Sequence, residues 1–297
     1  MSAPPWLGVT GATGEVGGRV AARIAHGGLS QRLIVRDPSR APVLPGADVA
    51  QASYEDASAM RAAVQGLGTL FLVSGSEAPD RLGHHTTAVD AAVAAGIERI
   101  VYLSFMAAAP DATFTFARDH FHTEEHIRAA GVRFTFLRAS LYLDYMPIFC
   151  GDDGVIRGPA GTGHFAPVAR DDIADVVVAV LAGDGHDGLT YDMTGPERLT
   201  MAEVAAHIAR AAGRPVSFHD ETLDEARASR GHFGAPDWEI EGWVTSYASI
   251  ATGEMDIVSD TVARVAGHPP QSLDDYLAAH PESYERLRQD DHHPSDG

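Results

Sequence analysis

The 297-residue chain has no lysine, no asparagine and one cysteine, and each shortage closes off a class of chemistry. Without lysine there is no Schiff-base nucleophile, no phosphate-loop lysine and no lysine-dependent proton relay. A single thiol, Cys150, forms no internal disulfide and builds no cysteine zinc cluster, which fits a reducing cytoplasm. Positive charge is scarce. The 22 basic residues, all arginine, face 41 acidic ones for a formal net charge of -19, the wrong sign for a nucleic-acid partner. No uncharged apolar run approaches the ~20 residues of a membrane span, and residues 1–6 carry no basic leader, so neither a membrane partner nor a signal peptide is expected. What is present, 45% hydrophobic and 21% charged residues, suffices for a full globular core. At roughly 150 residues per domain, the length predicts one large or two unequal domains.

Short apolar runs alternate with amphipathic stretches through the first half. The pattern predicts strands at 7–10, 33–36, 69–73, 99–103 and 133–137, with helices at 15–25, 57–65, 81–95 and 118–130 between them. Gly96 and Gly131 close two of these helices as C-terminal caps. A helix at 173–181, a strand at 190–193 and a helix at 201–212 follow, the last opened by the capping box of Thr200 and Glu203. From about residue 222 the chain reads as irregular helix. The expected fold is α/β: a Rossmann doubly wound parallel sheet over 1–150, with 165–195 returning to it. A smaller, mostly helical C-terminal region follows over 196–285, and a disordered tail at 290–297.

The turn after the first strand reads Thr10-Gly11-Ala12-Thr13-Gly14-Glu15-Val16-Gly17. Gly11 permits the tight turn, Gly14 lets backbone approach a pyrophosphate, and Gly17 lets helix pack on strand. The helix that starts at Glu15 offers free N–H groups and a positive dipole end to phosphates. A strand, this turn and a helix, followed by further strand-helix units, predict dinucleotide binding. At the end of the second strand an acidic residue would bind the 2′-hydroxyl of NAD, and an arginine the 2′-phosphate of NADP. Arg36, Asp37 and Arg40 all lie there. The two arginines favour NADP (NADPH) over NAD, and the competing reading makes Arg36 a surface charge and Asp37 a turn cap before Pro38.

These segments resemble the NmrA-like group of atypical short-chain dehydrogenases/reductases, in its NAD(P)H:quinone oxidoreductase type. The residues that carry the likeness are the glycine turn, Val35-Arg36-Asp37-Pro38, 70–74, 100–104, Asp119-His120 with Thr123-Glu124, Leu137-Arg138 before Tyr142, 171–175, 191–200 and 267–273. The resemblance implies an NADPH-binding sheet domain with Val73 and Ser74 among its cofactor contacts, and a C-terminal substrate region closing over the nicotinamide. It implies an enzyme that transfers hydride to a quinone or other conjugated carbonyl small molecule. A nucleotide-binding redox-sensing regulator without turnover is the alternative.

Conventional short-chain dehydrogenases use a Tyr-x-x-x-Lys pair on the helix after the fifth strand. Here Phe116 and His120 stand at those spacings, and no lysine exists to substitute. His120 is the first catalytic candidate, as proton donor or oxyanion partner, with a packing or ribose contact to the cofactor as the other reading. Ser104, at a strand end, is a candidate to orient substrate or nicotinamide, or else a turn residue. Tyr142 offers a phenol, or packs at the domain seam. The His122-Thr123-Glu124-Glu125-His126 run matches an inverted zinc-protease pattern, yet it lies in a helix of a nucleotide-binding sheet with no third ligand in view, so no metal is expected. Phe233, Trp238, Trp243 and Tyr247 read as core or as a lid that would favour a planar substrate. A homodimer is compatible with this architecture.

Overall fold

The structure, a computed structural model, describes residues 6–288; the tail expected at 290–297 lies outside them. Its first half alternates strands β1 (Leu7–Thr10), β2 (Gln31–Val35), β3 (Ala47–Gln51), β4 (Thr69–Val73), β5 (Arg99–Phe105) and β6 (Arg133–Ala139) with crossover helices. Those helices are α1 (Glu15–His26), α2 (Ala57–Val64), α3 (Arg81–Ala94) and α4 (Thr115–Ala129). The chain then leaves the sheet through α5 (Tyr145–Ile148) and β7 (Val155–Gly158), and returns by α6 (Arg170–Ala182) and β8 (Leu189–Met193). Helix α7 (Met201–Ala212), strand β9 (Ser217–Asp220), and helices α8 (Leu223–Arg230), α9 (Asp237–Ala251) and α10 (Leu273–Ala279) complete it.

Seven strands pair in parallel in the order β3-β2-β1-β4-β5-β6-β8, which is the expected doubly wound sheet. The two-residue period of the strands decides which layer each side chain joins. Leu70, Leu72, Ile100 and Tyr102 pack with Met60, Val89 and Ile127 of α2, α3 and α4. Phe71, Val101 and Leu103 turn the other way, onto Val20 and Ile24 of α1 and Val176 and Val177 of α6. Because both faces are covered, the strands read as near-continuous apolar runs. A third apolar cluster, built on Phe165, Val204, Ile208, Tyr247 and Ile250, holds the C-terminal part.

Several boundaries differ from those expected. Strand β2 covers residues 31–35, so Arg36 follows the strand instead of ending it. Helices α4 and α6 each start three residues before the apolar periodicity, at Thr115 and Arg170, polar residues that such a periodicity does not count. Strand β3 was not expected: Ala-Asp-Val-Ala-Gln is an edge strand with an exposed face and lacks an apolar run. Nor were β7 and β9, short strands that pair with each other outside the main sheet. Gly96 and Gly131 do sit just past α3 and α4 in left-handed backbone (φ +91° and +73°), and the Thr200–Glu203 capping box forms. Among the described residues no helix is long and apolar enough to cross a membrane.

Candidate functional site

Strand order reverses between β1 and β4, and at that point the carboxyl ends of the strands open into a cleft of about 360 Å³. Gly11, Thr13 and Gly14 form its floor, Arg36 and 52–55 one wall, and Val73 to Ala78 with Arg81 and His84 the other. Gly11 adopts φ +63°, and a Cβ there would lie 3.1 Å from the Cβ of Val73. Gly17 is tighter: a Cβ would fall 2.3 Å from the Gly11 carbonyl oxygen, so only glycine lets α1 approach the turn. Gly14 stands at the N-cap of α1 without a side-chain cap, leaving the helix N-terminus to a ligand. Ala12 and Val16 are buried, and Glu15 faces away to pair with Arg19 at 2.5 Å, so the side chains of these three do not line the cleft. The cradle that remains, backbone and glycine, fits a diphosphate.

A hydroxyl cluster pins β1 to β4 beside the turn. Tyr54 Oη lies 2.6 Å from both Thr10 Oγ1 and the Val73 carbonyl oxygen, while Val73 N–H donates to Thr10 Oγ1 at 2.9 Å. At the β2 end Arg36 lines the cleft and is exposed, and only its carbonyl is engaged, by Gln51. The Asp37 carboxylate instead accepts from Ser39 N–H (3.0 Å) and Ser39 Oγ (2.6 Å), capping the short turn Pro38–Arg40. Those bonds hold its carboxyl below the usual range. The structure therefore assigns the cap to Asp37 and leaves the guanidinium of Arg36 open to the cleft. Arg40 does not line the cleft.

The opposite end holds a chain of buried polar groups that sequence reading missed. Arg81, in the first turn of α3, is 6% exposed; its Nε–H donates to the Gly75 carbonyl (3.0 Å) and its Nη2 lies 3.2 Å from His120 Nε2. Because arginine only donates, His120 Nε2 accepts, and the ring proton sits on Nδ1, 2.9 Å from Tyr102 Oη. Nearby, Thr123 Oγ1 donates to the Asp119 carbonyl at 2.7 Å and lies 2.9 Å from His85 Nδ1. His85 Nε2 in turn accepts from the Gly75 N–H at 2.8 Å. Burial first, and then the Arg81 charge, push the His85 imidazole down to about 3 and hold His120 well below the ordinary histidine range. Both rings are neutral at physiological pH. The signal that could have found Arg81 is its place: an arginine in the first turn of the helix that follows β4, at the ligand edge of the sheet.

The same geometry shows what surrounds each catalytic candidate. His120 does not line the cleft, and a neutral imidazole whose two nitrogens face Arg81 and Tyr102 has no free proton to donate. Ser104 is 2% exposed and its hydroxyl donates to Glu124 at 2.7 Å, so it braces a buried carboxylate that Arg138 clamps at 2.6 and 2.8 Å. Tyr142 bridges in register to Val168 and lies under the Arg170 guanidinium, with burial raising its phenol to about 12. Neither Ser104 nor Tyr142 lines the cleft. In the His122–His126 run, His126 pairs with Asp90, Glu125 with Arg128, and Glu124 points inward to Arg138. No group of three or more metal-ligating side chains gathers among the described residues.

An aromatic row leads away from the buried chain. Phe105 lies 6.2 Å from His120 and 5.0 Å from Phe114, Phe114 stacks edge-on against Phe116, and Phe116 meets Trp238 of α9 at 6.2 Å. Of the other aromatics once read as core or lid, Tyr247 is core and Phe233 is exposed, edge-on to Trp243.

The profile of an NAD(P)H-binding family matches residues 11–184. The chain is 35% identical to the (4-alkanoyl-5-oxo-2,5-dihydrofuran-3-yl)methyl phosphate reductase of Streptomyces griseus, over 93% of this chain and 98% of that protein. It is 30% identical to quinone oxidoreductase 2 of Escherichia coli, over 90% and 96%. The crystal structure of the NADPH-dependent quinone oxidoreductase of Escherichia coli, complexed with NADPH, superposes with a TM-score of 0.85 at 29% identity, covering 92% of this chain and 99% of that one. The glycine cradle, the sheet order and these likenesses agree: the chain belongs to the NAD(P)H-binding family, in its NmrA-like, quinone-reductase-type branch, and is an NAD(P)H-dependent reductase.

Proposed function

We propose that the chain uses NADPH to reduce a quinone or another conjugated carbonyl. The observation that carries this reading is the inner end of the cleft: an arginine cation in the lining, backed by a histidine held neutral, with no tyrosine–lysine pair. Such a site stabilises negative charge and supplies no strong acid, which suits a substrate whose charge spreads over a ring. Bound NADPH would supply the hydride. Gly11, Thr13 and Gly14 with the α1 N-terminus would hold its diphosphate, Arg36 its 2′-phosphate, and Val73 and Ser74 the sugar between. His120 then acts on position, keeping the Arg81 guanidinium oriented. The region 196–285, reaching the row of rings through Trp238, would cover a planar substrate.

The relatives are named as reductases of small carbonyl or quinone compounds, which supports turnover over nucleotide sensing. A cytoplasmic site of action and a small-molecule substrate go with this reading. NADPH and NADH consumption across a panel of quinones and enones is the test. Faster turnover with NADPH and a quinone is expected; no consumption with any member of the panel overturns the assignment.

A further inference from the structure

Among the described residues that line the cleft, Arg81 alone carries a buried side-chain nitrogen without a hydrogen-bond partner, its Nη1. The other donors are fixed. Nε serves the Gly75 carbonyl, Nη2 serves His120, and the guanidinium carbon lies 5.9 Å above the Phe116 ring. Two carboxylates feel its charge: Asp119 stands 3.8 Å from Nη1, close enough to attract but too far to accept a hydrogen bond, and Glu77 shares the cleft wall with Arg81. A buried, permanently charged donor left unmet is costly, and it is kept where a ligand completes it.

We propose that Arg81 is a catalytic residue that donates Nη1–H to the substrate oxygen on which negative charge develops. The proposal rests on the reductase reading and names what that reading lacks, the group that takes the charge. Transfer of one hydride from NADPH to a quinone yields NADP⁺ and a hydroquinone monoanion, which takes its proton from water. No protein acid is consumed, and Arg81 keeps all its protons throughout. The planar fork also explains the neutral histidine: an imidazolium at His120 would repel the guanidinium and withdraw the acceptor that aims it. The substrate class this selects is a flat conjugated carbonyl whose reduced form is an oxyanion.

The test uses the full chain loaded with NADP⁺ and two probes: 2-hydroxy-1,4-naphthoquinone, anionic at neutral pH, and neutral 1,4-naphthoquinone. Arg81→Met is expected to weaken the anionic probe about tenfold or more and the neutral one less than about threefold, and to lower kcat/KM for quinone reduction about 10²-fold. The Kd for NADPH should stay within about threefold. Equal weakening of both probes, or a loss of NADPH affinity matching the loss in kcat/KM, overturns the proposal and makes Arg81 a structural or cofactor contact. If Arg81→Met fails to fold, Arg81→Lys decides. An ammonium cannot serve Gly75, His120 and substrate together, so the anionic probe and kcat should each fall about tenfold, and wild-type values contradict us. A wild type that reduces no quinone removes the reductase reading; an anion affinity indifferent to Arg81 removes this proposal.

Discussion

At the end of the cleft that we assign to adenosine and phosphate, the lining is the glycine turn with the α1 N-terminus, the exposed Arg36 and the wall at 52–55. At the other end Arg81 faces the cleft, backed by buried side chains that hold one another: Arg81, His120 and Tyr102 in one hydrogen-bonded run, and Thr123 with His85 in a second. The first end needs little support, because an N–H at a helix terminus is already fixed by the helix. The second must build its own rigidity, because a guanidinium on a flexible stem stabilises charge only when it is aimed beforehand. In the reading we propose, recognition is carried by local backbone geometry, and chemistry by contacts between residues up to 39 positions apart.

The contrast can be broken first with acid. His85 and His120 are neutral in the folded protein, whereas in the unfolded chain each takes a proton below about pH 6.5. Below that pH the unfolded state binds more protons, so stability falls by about 1.4 kcal/mol per pH unit for each histidine, until pH passes the folded-state value, about 3 for His85. The stability is fully present above pH 6.5. Urea melts at pH 7.5, 6.5 and 5.5 should show this slope, and the His85→Gln/His120→Gln double variant should lose it. An unchanged slope in the double variant would remove the buried chain as its source.

The next effect lies at the other end. Gly17→Ala places a Cβ against the Gly11 carbonyl oxygen, so it should cost about 3 kcal/mol in a urea melt and abolish NADPH binding in a titration. Retained binding would mean that the turn yields more than a packed backbone allows. Arg36→Ala should weaken NADPH about tenfold and NADH less than about twofold, read by calorimetry; equal losses would take the 2′-phosphate away from Arg36. The smallest effect is reserved for Asp37→Asn. Since Asp37 caps its own turn, the ratio of NADPH to NADH affinity should move less than about twofold, and a large shift toward NADPH would restore the carboxylate to ribose reading.

The same division explains what the sequence disclosed. The glycine turn, the sheet's strand-helix rhythm and the left-handed Gly96 and Gly131 are local patterns, so they are visible in a single stretch of chain. Strand β3 escaped because an edge strand needs no apolar run, and β7 and β9 because four residues carry no period. His120 was visible as a residue, but its surroundings were not, since burial and Arg81, 39 positions away, lower the pKa of its imidazole. Arg81 itself has no motif around it. Ser104 and Tyr142 stand near strand ends as expected, yet the Ser104 hydroxyl answers to Glu124 and the Tyr142 ring packs under the Arg170 guanidinium, and neither lines the cleft.

The reductase we propose stabilises charge with a fixed cation and a neutral histidine. The pH dependence of kcat for NADPH oxidation with 1,4-naphthoquinone, measured on wild type and His120→Gln, decides whether it does. We predict turnover in which log kcat stays flat through about pH 6.5, where an ordinary histidine titrates. A fall centred near that pH in the wild type that disappears in His120→Gln would make His120 the proton donor and contradict the account.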